Sequence, residues 1–158
     1  IENVGCDVHQ YYEDQFVDIS SYEKRVLIIR DPFRRFCSGW YNRVRQRKEL
    51  SYDFINSNNK KIVNKIPIFD PNLNEFIEHL DIYLLMNKVR HHVKPINETI
   101  NINDFTDIFK FENLKDFERL ISGMMDTSFS LPHTQFCQSS KDYNISNENL
   151  EKLRTFLI

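Results

Sequence analysis

The order of elements in this chain predicts an α/β fold, a parallel sheet flanked by helices, and three observations carry that prediction. Residues 25–30 contain a consecutive apolar run, Val26-Leu-Ile-Ile29, which stops abruptly at Arg30-Asp31-Pro32. A run without alternation suits a parallel strand covered on both faces. A second short run, Asp107-Ile-Phe-Lys-Phe111, is also followed by a helical pattern, and no tight-hairpin signal joins the strands. Strands that each give way to a helix point to a layered fold with parallel pairing.

The elements follow in order. In residues 1–20, Val8, Tyr11, Tyr12, Phe16 and Ile19 have loose helical spacing, which fits a helix or a loop with one helical turn. After the strand at 25–30, Asp31 suits an N-cap and Pro32 suits the first helical position. Phe33, Phe36, Cys37, Trp40, Tyr41 and Val44 then form one apolar stripe, the mark of a helix with a buried face. Arg34, Arg35, Arg43, Arg45, Arg47 and Lys48 are assigned to its other face. Residues 51–72, rich in Ser, Asn and Lys, read as a loop. Asn72 or Asn74 starts a helix that contains Phe76, Ile77 and Leu80 and continues through Tyr83 and Leu84. Residues 88–104 read as irregular. Residues 107–111 form the second strand, residues 114–125 an Asn-capped helix, and a last helix runs from about Asn147 to the end.

Composition bounds the function. At 158 residues the chain can bury a core within one domain spanning residues 1–158. A net charge of −2 argues against a general nucleic-acid binder. The three cysteines, Cys6, Cys37 and Cys137, are odd in number and lack CxxC spacing, so neither a disulfide framework nor a structural zinc site is expected. No apolar run approaches the roughly 18 residues of a membrane span. Two sequons, at Asn97 and Asn144, are expected by chance in so Asn-rich a chain.

The strand-to-helix junction is the strongest chemical signal. Backbone N–H groups and the helix dipole converge at a helix N-terminus and favour a phosphate there. Arg30, at the strand's C-terminal edge, adds a two-pronged donor, and Ser38 adds a hydroxyl about two turns into the helix. The plain alternative is an arginine in a surface salt bridge and a serine tolerated in a helix. From Arg30 to Lys48 there are seven Lys/Arg residues and one acid, a local charge of +6. That run suits an anionic ligand, or simply a solvated helix face.

The string Ile-Ile-Arg-Asp-Pro-Phe-Arg-Arg-Phe-Cys-Ser-Gly-Trp-Tyr resembles the 3′-phosphate-binding motif of PAPS-dependent sulfotransferases, most closely their carbohydrate (Golgi-type) branch. The match falls at Arg30, Asp31, Pro32, Phe33, Arg35, Ser38, Gly39 and Trp40. Asp107-Ile-Phe-Lys-Phe-Glu-Asn-Leu114 is similar to the family's later strand and helix, and His92-Val-Lys-Pro95 to its His-x-x-Pro-Gln segment, with Ile96 in place of Gln. The resemblance implies a fold similar to P-loop nucleotide kinases. It also implies sulfuryl transfer from PAPS to an acceptor hydroxyl on a carbohydrate, with PAP as product. By resemblance, Arg30 and Ser38 bind the 3′-phosphate, and Arg35 supports the cleft or makes a structural ion pair.

The family also grips the 5′-phosphosulfate with a Lys-bearing, P-loop-like turn. Asn3-Val-Gly-Cys6 lacks the Lys and the Ser/Thr of that turn, so the turn is expected upstream of Ile1, with the chain N-terminally truncated relative to the family. Sulfuryl transfer needs a base for the acceptor hydroxyl, and His92 is the candidate. His92 could instead touch donor or acceptor, or be a solvated loop residue. His133 is a further candidate, whereas His9 and His79 read as structural or surface residues. The His91-His92 pair does not read as a metal site, because no carboxylate or Cys falls at ligand spacing, and the reaction the resemblance implies requires no metal. The resemblance leaves the compartment to the source: cytoplasmic for a microbial member, Golgi lumen for an animal-type one. Two other readings remain: a non-catalytic module for anionic glycans or nucleotides, and a small-molecule kinase. Against the kinase stands the missing Gly-Lys-Ser/Thr signature.

Overall fold

Two parallel strands and a helical layer make up the computed structural model, which describes residues 19–98, 100–131 and 143–157. Strand β1 (Val26–Ile29) pairs in parallel with β2 (Asp107–Lys110), in the register Val26↔Asp107 to Ile29↔Lys110. At the strands' start the Arg25 carbonyl accepts from the Thr106 and Asp107 amides at 2.8 and 3.1 Å; at their end Phe111 N–H donates to Ile29 O at 2.7 Å. A parallel pair needs a crossover, because no tight turn can return the chain to the same end. Residues 30–106 supply it, and they carry most of the core.

Helix α1 (Pro32–Trp40) begins directly after β1 and continues into a π-helical segment, Tyr41–Gln46. Helices α2 (Tyr52–Asn58), α3 (Leu73–Glu78), α4 (Leu80–Tyr83) and α5 (Asn87–Val93) follow. Beyond β2 come α6 (Lys115–Met125) and α7 (Asn147–Leu157). The predicted stripe on α1 is the centre of the core. Phe36, Cys37 and Val44 are fully buried and Trp40 nearly so. Phe36 packs on Phe76 of α3 (ring centroids 5.8 Å) and on Phe156 of α7 (6.0 Å), and Phe76 stacks on Tyr83 at 5.2 Å. The buried Asn149 amide donates to the Asn74 carbonyl, the Asn74 side chain and Glu78, at 3.1–3.3 Å. These bonds fasten α7 to α3 and satisfy a polar group that would otherwise be costly to bury.

Several sequence expectations need adjusting. Residues 51–72 are not a loop throughout. Ser51 caps α2 by accepting from Phe54 N–H at 3.3 Å, and a 3-10 turn spans Lys60–Lys65. The Asn- and Lys-rich composition hid an apolar inner face of Phe54, Ile55, Ile62 and Ile66. Asn72 starts α3 with a full capping box with Glu75, but the helix breaks at His79 (φ −115°) before α4. Residues 88–93, within the stretch 88–104 expected to be irregular, belong to α5. Leu114, not Asn113, precedes α6, and no side chain caps it. The expected cover on both faces of β1 is not found among the described residues: Leu27 is 8% exposed but Ile28 is 38% exposed. Successive strand residues point to opposite faces, and the described residues bury only the face that carries Leu27. The helical pattern expected within residues 1–20 lies almost wholly outside the described residues, of which Ile19–Ser21 form one 3-10 turn.

Candidate functional site

The junction of β1 and α1 is rigidly built. Asp31 Oδ1 accepts from Arg34 N–H at 2.8 Å, and Pro32 opens the helix where an N–H has no intrahelical partner in any case. The Asp31 N–H donates in turn to Glu112 Oε1 at 3.1 Å, so the second residue after β2 is tied to the start of α1. Arg30 is half-buried, with its guanidinium 5.8 Å from the centroid of the Phe111 ring. Aromatic faces hold a guanidinium by cation–π attraction while leaving its N–H groups able to donate at the edge. Among the described residues no carboxylate pairs with Arg30. The salt-bridge alternative for this residue therefore finds no partner there.

Ser38 lies six residues after Pro32, about 9 Å along the helix axis, and is half-buried. No direct hydrogen bond joins it to Arg30, and both remain partly open to solvent. Cys37, beside it, is a buried free thiol. Burial, helped by the charge of Asp31, pushes its pKa up to about 12, so it is neither a nucleophile nor a ligand near neutral pH.

A second set of contacts brings α5 against α1. Arg35, Gly39 and Arg43 recur at i, i+4 and i+8 and meet the end of α5 in sequence. The Arg35 guanidinium donates to the Lys94 carbonyl. A Cβ added at Gly39 would stand 2.7 Å from the His92 carbonyl oxygen and 3.0 Å from Val93 Cγ1. Only glycine permits that approach. The Arg43 Nη2 group meets His92 Nε2, and Arg43 Nη1 donates to Glu49 Oε1 at 3.0 Å. Arg43 is 9% exposed and Glu49 3% exposed. Burial also draws the Arg35 guanidinium below its usual pKa, without removing its charge.

His92 is thus a half-buried residue in the last turn of a helix, not a solvated loop residue. Its ring lies 5.4 Å from that of exposed His91, edge to face. His79 sits at the break between α3 and α4. His9, His133, Cys6, Cys137 and the Asn3-Val-Gly-Cys6 segment lie outside the described residues, as does Thr99 of the first sequon.

Sequence reasoning placed Arg43 on a basic outer face and passed over Glu49. The structure corrects this: Arg43 is buried with a carboxylate partner, while Arg34, Arg45, Arg47 and Lys48 stay exposed. Even on a regular helix Arg43 falls at the edge of the apolar face, near Gly39 and Phe36. The Arg35/Gly39/Arg43 spacing was the available signal. Among the described residues no helix is long and apolar enough to cross a membrane.

A model described as "Sulfotransferase family" matches residues 7–155. Neither the curated proteins nor the solved structures give a match.

Proposed function

The chain belongs to the sulfotransferase family, and from that premise we propose that it moves a sulfuryl group from PAPS to an acceptor hydroxyl on a carbohydrate. The observation that carries the donor assignment is the half-buried Arg30, set over Phe111 at the entrance to a capped helix and without a carboxylate partner among the described residues. In this reading Arg30 binds the donor's 3′-phosphate with its guanidinium fork, and Ser38 adds a hydroxyl donor. The neighbouring run of cations raises the local concentration of an anionic donor.

The acceptor oxygen bonds to sulfur as the bond from sulfur to the phosphate oxygen breaks and PAP leaves. His92 is the proposed base that takes the hydroxyl proton. Its Nε2 would have to exchange Arg43 for the hydroxyl at that moment. As in phosphoryl transfer, most of the rate enhancement would come from positioning and charge stabilisation. The acceptor assignment follows the sequence resemblance to carbohydrate sulfotransferases.

Calorimetric titration with PAP tests the donor assignment, with ADP and Arg30→Ala as controls. PAP binding that exceeds ADP binding and is lost in Arg30→Ala is expected. Equal affinity for PAP and ADP would remove the 3′-phosphate assignment and favour a kinase or general nucleotide binder. For the base, His92→Ala is expected to abolish turnover while leaving PAP affinity nearly intact; unchanged turnover would remove His92 from the mechanism.

A further inference from the structure

The triad Glu49–Arg43–His92 is more elaborate than packing α5 on α1 requires. We infer that Arg43, anchored by Glu49, is a positioning residue that holds His92 as a neutral imidazole with its lone pair at Nε2, the form a base must have. The inference rests on the reading of His92 as the base. It adds two residues to that reading which the family motifs quoted above do not contain.

The chemistry of the donors decides the tautomer. A guanidinium carries only N–H donors and does not lose its proton in proteins. Arg43 Nη2 meets His92 Nε2, so Nε2 must accept and the ring proton belongs on Nδ1. A protonated imidazole would place N–H against N–H and cation against cation. Glu49 Oε1 holds the other terminal nitrogen of the guanidinium, Nη1, at 3.0 Å. The carboxylate fixes where Arg43 points and offsets the charge when His92 takes a proton. Among the described residues, Glu49 Oε2 and Arg43 Nε are buried without a hydrogen-bond partner.

Arg35 approaches from α1 and is committed to the Lys94 carbonyl. On α5 itself, Arg90 pairs with Glu98 at 3.4 Å, and His91 is exposed. Lys94 follows the helix. Among the described residues, Arg43 is thus the one cation in direct contact with the His92 ring.

Two-bond nitrogen–proton NMR of the imidazole rings in the whole chain tests the inference without requiring an acceptor. His92→Gln assigns the signals. In the wild-type protein His92 is expected as the Nδ1–H tautomer at neutral pH. The Nε2–H tautomer, or an averaged ring, would overturn the proposal. In Arg43→Gln the cation is gone and Glu49 remains. The His92 titration midpoint should then rise by about one to two pH units, the usual effect of a charge at this range. An unmoved midpoint in the folded variant would equally overturn the proposal. Should that variant fail to fold, the wild-type tautomer still decides. The two readings fail separately. Wild-type turnover in His92→Ala would sink the base assignment and leave the tautomer result standing. The wrong tautomer would sink the Arg43 role whatever His92→Ala does.

Discussion

A Cβ on Gly39 would stand 2.7 Å from the carbonyl oxygen of His92. This absent methyl group lets the end of α5 lie against α1. The clash is with backbone, which cannot swing aside as a side-chain tip can. Gly39→Ala is therefore expected to lower stability by about 1–3 kcal/mol, the usual cost of overpacking. Helix propensity alone would predict the opposite sign, since alanine favours a helix by roughly 1 kcal/mol over glycine. Denaturant unfolding decides: an unchanged or raised midpoint would mean that α5 does not pack as described.

The Arg43–Glu49 pair should behave as a buried ion pair. Removing one partner leaves the other charged and unpaired, at a cost of about 3–5 kcal/mol. Arg43→Met and Glu49→Leu are each expected to fall in that range. The double variant should recover much of the loss, because no buried charge then remains. A double-mutant cycle with additive losses would show that the two side chains do not interact.

At the phosphate site, affinity and stability should separate. Arg30→Ala removes a charged two-pronged donor and Ser38→Ala a neutral one. Hydrogen bonds to charged groups are worth about 1.5–3 kcal/mol, so each variant should weaken PAP binding by roughly tenfold or more, with Arg30→Ala the worse. Neither residue is fully buried, so the unfolding midpoint should barely move. Loss of PAP binding in parallel with loss of stability would indicate a damaged fold and not a damaged site.

Alkaline conditions should destabilise the core. Burial raises Cys37 from its ordinary 9.0, and Tyr83 from its ordinary 10.0, each to about 12. A group whose folded pKa lies above its unfolded one contributes stability that is complete below the unfolded value. That contribution fades as pH rises through the interval up to the folded value. Stability is therefore expected to decline from about pH 9 upward, and less steeply in Cys37→Ala. Peptide-level mass spectrometry after alkylation at pH 8 should find Cys37 protected until the chain unfolds; rapid labelling of the native protein would contradict its burial.

The local signals were legible in the sequence because they depend on neighbours in the chain. Val26–Ile29, the Asp31 cap, Pro32 and the apolar stripe from Phe33 to Val44 need only strand and helix geometry to be read. The parallel partner at Asp107–Lys110 and the helix at Lys115–Met125 followed from the same reasoning. Residues 52–58 were missed because their Asn and Ser content masked a narrow apolar face. Residues 88–93 were missed because α5 has no side-chain cap and owes its place to packing.

The sequence by itself determined where the phosphate-binding candidates lie, since Arg30 and Ser38 belong to one continuous strand-to-helix segment. Only the tertiary structure decided what surrounds His92. Residues 35, 39 and 43 meet residues 92–94 from some 50 positions away in the chain. A glycine contact and an arginine anchored by a buried carboxylate make that meeting. Such contacts are set by the fit of one surface against another, which no periodicity along a single segment encodes.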